Sequence, residues 1–206
     1  MIIIGAKGHA KEIYDICSNN NQAIHYFFDN VSKNNPINLF EKNIIIDFDD
    51  AKIIIKNIPE CIIAIGGPKN RKYVFELFEN INGKIQNIIS KTAIISPSSK
   101  LETGLNIMHF VFIGSEVQIG KGSLINTRAS IHHNSILGDF VEIAPGAEIL
   151  GNCTIGNLSF IGANSTILPN IKIGQNVIVA AGSVVTNSIP DNCMVAGNPA
   201  KIKKQY

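Results

Sequence analysis

Between Ile95 and Val185 every sixth residue is aliphatic. The series runs Ile95, Leu101, Ile107, Ile113, Ile119, Ile125, Ile131, Leu137, Ile143, Ile149, Ile155, Ile161, Ile167, Ile173, Val179 and Val185, and it stops at Asp191. A helix repeats at 3.6 residues and a half-buried strand at two, so neither produces a period of six. A hexad is a length of chain: one short strand plus a turn, whose aliphatic residue points into a tube and stacks on its neighbours in a continuous column. The pattern predicts a parallel β-helix. Small or aliphatic residues two places before each hit (Val111, Ser123, Ala129, Cys153, Ser165) share an inward phase. Gly114, Gly120, Gly138, Gly156, Gly162 and Gly174 directly follow a hit, which reads as a corner needing backbone angles that a Cβ resists.

The first ninety residues are patterned differently. The apolar run Ile2–Ile4 leads into Gly5-Ala6-Lys7-Gly8-His9, and then Ile13, Ile16 and Cys17 fall on one helical face, which reads as strand, glycine turn, helix. Further strands are predicted over 25–28, 44–46, 61–65 and 84–89, and helices over 49–56 and 71–78. This alternation predicts a small parallel α/β sheet. Polar residues lie just past three of the strands: Lys7 to His9, Asp29 with Asn30, and Gly66 with Arg71. Open α/β sheets bind ligands at that edge, and a glycine turn at a helix N-terminus lets a phosphate approach the backbone. The same turn also serves as a plain strand-to-helix connection, so it decides nothing alone.

Composition narrows the classes. A formal charge of +2, without a concentrated basic patch, disfavours nucleic acid as a partner. Cys17, Cys61, Cys153 and Cys193 lack ligand or disulfide spacing and fit buried reduced thiols. The start of the chain has neither signal-peptide features nor a run long enough for a membrane span, so a soluble, cytoplasmic protein is expected.

The opening Gly5, Gly8, His9 and Glu12, the strand ending at Asp29, Ala64-Ile65-Gly66 followed by Arg71, and the hexad tube together resemble bacterial hexapeptide-repeat sugar acyltransferases. That family includes the sialic-acid O-acetyltransferase type and the UDP-4-amino-sugar N-acetyltransferases of the bacillosamine pathway. The resemblance covers nearly the whole chain. It implies a Rossmann-like α/β domain over 1–90 that holds a nucleotide sugar through Lys7, Gly8, His9, Asp29, Asn30 and Gly66. A left-handed, three-sided β-helix of about five coils over 91–206 is implied to carry acetyl transfer. It further implies acetyl-CoA as co-substrate, no metal, and a homotrimer with sites between subunits.

Within the tube, His109, His132 and His133 are the side chains suited to proton transfer near neutral pH. The block from Ile131 to Gly138 resembles the family block in which the His five places before a Gly is the base, which selects His133. The family's acidic neighbour is Asn134 here. An amide can hold a tautomer but cannot stabilise an imidazolium by charge, which favours an amine acceptor over a hydroxyl. Glu142 stands where the family carries a second His contacting acetyl-CoA, and it reads either as a coenzyme contact or as a carboxylate compensating for Asn134 across a subunit boundary. By the same resemblance Gly151, Ala163 and Ala181 lie along the pantetheine groove, although small residues also suit any tight corner. The ending Gly197-Asn198-Pro199-Ala200-Lys201 matches the family's closing tail.

These residues lead to an N-acetyltransferase acting on a nucleotide-linked 4-amino-sugar in bacterial surface-glycan or glycoprotein synthesis, with O-acetylation of sialic acid or another sugar as the alternative. A zinc enzyme on the same tube needs three convergent histidines. His109 and His133 lie four hexads apart and fall on different faces.

Overall fold

The computed structural model describes residues 1–32 and 36–206. The chain opens with β1 (Ile2–Ile4), α1 (Gly8–Asn19), β2 (Tyr26–Phe28), β3 (Asn38–Leu39), β4 (Lys42–Ile45), α2 (Phe48–Ile55), β5 (Glu60–Ile63), α3 (Pro68–Glu79) and β6 (Lys84–Ile85). Their order across the sheet is β3-β4-β2-β1-β5-β6, parallel except for the β3–β4 pair. β1 is central and buried on both faces, which is why its three residues are all isoleucine. The chain leaves β1 toward β2 on one side and returns as β5 on the other. The carboxyl ends of β1, β2 and β5 therefore meet around one crevice.

The apolar run over 84–89 reads as one strand in the sequence, but it serves two sheets. Lys84–Ile85 pairs with β5, while β7 (Ile88–Ile89) is already a stave of the tube, paired with Asn106–Ile107. Asn87 stitches the junction, donating from Nδ2 to Glu102 O at 2.9 Å and accepting Leu105 N–H at 2.8 Å.

From β7 to Val184–Val185 the strands are two residues long and stack into three parallel sheets, each strand pairing with the one a full coil later, as in Asn106↔Leu124, Phe112↔Ser130 and Gln118↔Ile136. The architecture is a left-handed parallel β-helix behind a small Rossmann-like sheet: the period of six predicted the tube, and the family resemblance implied its hand. The two-residue staves from β7 to Val184–Val185 number seventeen, between five and six coils of three, because they begin at β7, one hexad before Ile95. The inward column from Ile107 to Val185 is fully or almost fully buried. Serines in the second inward phase pair within the wall: Ser123 Oγ donates to Gly138 O at 3.2 Å and accepts Val141 N–H at 3.0 Å, so the hydroxyl is not left unmatched in an apolar core.

The corners differ from the sequence reading. The glycines directly after a hit do not have positive φ; a Cβ on Gly120 or Gly156 would lie 2.5 Å from backbone atoms of the next coil, so close coil stacking excludes it. The left-handed position falls two residues later. Asn134, Asn152, Asn164, Asn170 and Asn176 occupy it with φ between 51° and 64°, alongside Gly104, Gly122, Gly146 and Gly182. Asparagine is the side-chain-bearing residue best suited to that region, which gives the asparagine-rich tube a structural role. The hairpin formed by Cys193–Gly197 and Ala200–Gln205 then covers the last strand edge of the longest sheet. Among the described residues no helix is long and apolar enough to cross a membrane.

Candidate active site

The crevice at the carboxyl ends of β1, β2 and β5 is a cavity of about 550 Å³. Lys7 and His9 line it from the first loop, Asp29 and Asn30 from the second, and Gly66 from the third, so five of the six residues expected to bind substrate share one site. Gly8 opens α1 just outside the lining, and a Cβ there would meet nothing within 4 Å. Gly5 is demanded by the fold alone: its φ is +126° and a Cβ would lie 2.5 Å from Ala64 O.

Asp29 is buried and builds its own turn, Oδ1 accepting Val31 and Ser32 N–H at 3.1 Å and Oδ2 accepting Ser32 Oγ–H at 2.8 Å. His9 has its side chain 16% exposed, with Nδ1 3.5 Å from Glu12 Oε2 and a buried Nε2 that has no protein partner. Burial, then the nearby charge of Arg71, holds this imidazole below its ordinary range, against a weaker opposing effect of Glu12. A largely neutral ring thus offers an unmatched nitrogen beside the cavity.

The opposite wall comes from α3, where Asn70, Tyr73, Val74 and Leu77 line the cavity. These residues are not among those expected from the sequence. Their spacing of three, four and seven marks one helical face, and that was the available signal.

Arg71 does not face the ligand edge. It is fully buried between the sheet and the tube, donating through Nε to Gly122 O at 2.8 Å, through Nη1 to Ile65 O at 2.9 Å and through Nη2 to Asn106 Oδ1 at 2.5 Å. Burial lowers its pKa to about 10, partly offset by Glu142, so the guanidinium stays charged at neutral pH. It joins the two parts of the molecule.

Glu142 lies in the same seam. The residue is 8% exposed and its carboxylate accepts Gly67 N–H at 2.7 Å, and burial raises its pKa against the opposing pull of that bond and of Arg71. The sequence offered it as a coenzyme contact or as the compensating partner of the base. Within the chain its oxygens are turned to the backbone beneath Gly66 instead, because this outward position of the strand Glu142–Ile143 is covered by the turn before α3.

His133 is exposed at a corner of the tube. Asn134 Oδ1 lies 3.0 Å from its Nδ1. With the amide oxygen as acceptor, the ring proton is on Nδ1 and the Nε2 lone pair is free to act as a base. Gly151, one coil later at the same corner, leaves room for the ring: a Cβ there would lie 2.6 Å from His133 Cε1 and Nε2. Ala163 and Ala181 follow strands of a different sheet and stack at another corner, joined by Gly182 N–H to Ala163 O at 2.8 Å. The expected coenzyme residues are thus divided between two edges of one tube, and His133 lies outside the cavity of the α/β sheet.

The match to known proteins covers both parts. Residues 1–78 fit the family model of the PglD N-terminal domain, and residues 152–187 fit the bacterial transferase hexapeptide (six repeats) model. A mutant of perosamine N-acetyltransferase from Caulobacter crescentus, solved with CoA and GDP-perosamine, superposes with a TM-score of 0.91 at 27% identity, covering 99% of this chain and 96% of that one. The chain resembles the hexapeptide-repeat sugar acyltransferases in both its amino-terminal sheet and its tube. The acetyltransferase domain of PglB from Neisseria gonorrhoeae, solved with acetyl coenzyme A, is a further structural relative, with a TM-score of 0.87 and 28% identity over 98% of this chain and 97% of that one. Among curated sequences, serine acetyltransferase 4 of Arabidopsis thaliana is 40% identical over 109 residues, which is 52% of this chain and 28% of that protein. The chain thus spans less than a third of the length of the curated relatives first matched.

Proposed function

We propose that this protein is an acetyl-CoA-dependent N-acetyltransferase acting on a nucleotide-linked 4-amino-sugar for bacterial surface-glycan or glycoprotein synthesis. The observation that carries the reading is the arrangement at His133: Nδ1 held by Asn134 Oδ1 at 3.0 Å, and ring space kept open by Gly151. The nucleotide-sized crevice at the carboxyl edge of the α/β sheet supports the acceptor class, as do the ligands named for the perosamine and PglB enzymes.

In this reading the sugar amine attacks the thioester carbonyl on its own lone pair, forming the C–N bond. His133 Nε2 takes the ammonium proton, and the tetrahedral intermediate collapses with departure of the CoA thiolate, to which the imidazolium returns the proton. Asn134 fixes the tautomer but adds no negative charge, and this suits an amine, which depends less on its base than a hydroxyl does. Lys7, Gly8, His9, Asp29, Asn30 and Gly66 hold the nucleotide sugar. Gly151, Ala163 and Ala181 pass the pantetheine arm.

Because base and cavity lie on different faces of the chain, a homotrimer in which one subunit presents His133 to the cavity of the next accounts for both. The compartment is the cytoplasm, where acetyl-CoA and nucleotide sugars are available.

The test is release of CoA thiol from acetyl-CoA by wild type and His133→Ala across UDP-, dTDP- and GDP-linked 4-amino-sugars. Turnover on one of them, lost in the variant, is expected. Turnover only on sialic acid or another hydroxyl acceptor would overturn the acceptor class, and an unaffected variant would remove His133 from the mechanism.

A further inference from the structure

The short turn Ile65-Gly66-Gly67 is where the nucleotide-sugar cavity meets the tube, and it is gripped from both sides. Arg71 Nη1 holds the carbonyl of Ile65 at 2.9 Å, and the Glu142 carboxylate holds the amide of Gly67 at 2.7 Å. The same guanidinium is anchored in the tube by Gly122 O and Asn106 Oδ1, and Glu142 is itself a tube residue, so both grips tie the turn to the coils. Gly66 lines the larger cavity and Gly67 lines a second of about 420 Å³ against the outer tube face, while Asn70, one turn into α3, lines both. Gly66 has no side chain to brace itself and Gly67 sits at φ +84°; locally the turn is held by Arg71 N–H on Gly67 O at 2.9 Å, which leaves the Ile65 carbonyl and the Gly67 amide to the two side-chain grips.

We propose that Glu142 is a positioning residue: by holding the Gly67 amide to the tube while Arg71 holds the Ile65 carbonyl, it sets the Gly66 lip on which the nucleotide sugar rests. The two side chains have opposite charge and act through the backbone between them, without a direct ion pair. Glu142 takes no part in proton transfer. This inference rests on the functional reading above for its substrate, although the strap itself is a property of the fold.

The experiment compares Glu142→Gln, Glu142→Asp and Glu142→Ala in the full chain, with melting curves to confirm folding. Gln keeps an oxygen at the right distance and loses the charge; Asp keeps the charge and withdraws the oxygen by one methylene. Asp and Ala are expected to raise KM for GDP-perosamine or a UDP-linked 4-amino-sugar about tenfold, the loss of one charge-assisted hydrogen bond, with a smaller change in kcat. Gln is expected to recover most of that loss. Amide exchange at Gly67 is read in parallel: protected in wild type and Gln, released in Asp and Ala. If Gln is as damaging as Ala while Asp behaves as wild type, charge or proton transfer is what matters and the proposal fails. It fails equally if Gly67 exchange is the same in all four proteins. A wild type inert on every 4-amino-sugar would overturn the acceptor reading alone, since exchange at Gly67 still decides the strap.

Discussion

Asn134 Oδ1 sits 3.0 Å from His133 Nδ1, and the backbone of Asn134 has a φ of 61°. One residue therefore does two things: it turns a corner of the tube in the left-handed region and it fixes the tautomer of the base. Alanine there would lose the ring's partner and meet a backbone cost of about 1–2 kcal/mol. Asn134→Gly keeps the corner and loses only the partner, so it is the cleaner variant. Its melting temperature should stay near wild type while kcat falls. Asn134→Asp should raise the rate with hydroxyl acceptors more than with amines, because it adds charge stabilisation of the imidazolium. Steady-state thiol release with paired acceptors checks both.

His133→Ala should lower kcat by roughly 10²–10⁴-fold, the usual worth of a positioned base. Gly151→Ala should approach that loss without unfolding the tube. Gly151 has no positive φ to protect, but its Cβ would lie 2.6 Å from the His133 ring and displace it. A mutant that melts normally and turns over slowly is the expected result; a fully active one would show that the ring can move without consequence.

Arg71 should be worth far more to stability than any surface charge. Truncation to alanine strips the donors from Gly122 O, Ile65 O and Asn106 Oδ1 and leaves Glu142 without its nearby positive charge. A loss of about 3–5 kcal/mol is expected, seen as a melting temperature lowered by roughly 10 °C. Arg71→Lys should recover little, since an ammonium cannot reproduce the planar fork.

His9 makes stability depend on pH with a defined sign. The folded protein holds the ring below its ordinary range, mainly through burial. Below about pH 6.5 the unfolded chain binds the proton more readily than the folded one, so stability present above that pH is lost as pH falls. His9→Gln should flatten the acid side of a melting-temperature profile between pH 7 and 5. An unchanged slope would mean that other groups set it.

Much of the site was legible in the chain because its signals are local. The strand-end residues Lys7, His9, Asp29, Asn30 and Gly66 reach one cavity, since a parallel sheet delivers successive strand ends to the same edge. Arg71 was misread for a related reason: it follows that edge in sequence, yet its side chain turns back under α3 into the seam, and no local pattern distinguishes the two directions. The pocket face of α3 carries its signal in helical spacing, with Asn70, Tyr73, Val74 and Leu77 on one side, but that spacing alone does not say whether the face meets a core or a cavity.

The period of six by itself determined the tube, its inward column and the stacking of equivalent positions, because each hexad repeats the same environment and neighbouring coils pair with one another. Only the tertiary structure decided how the α/β sheet docks on that tube. Docking turns Glu142 toward Gly67, 75 residues away in the chain, buries Arg71 between the two parts, and leaves His133 on an open corner apart from the cavity. Contacts of that separation depend on how two finished surfaces fit, and a periodic sequence carries no record of which face of the tube its partner will cover.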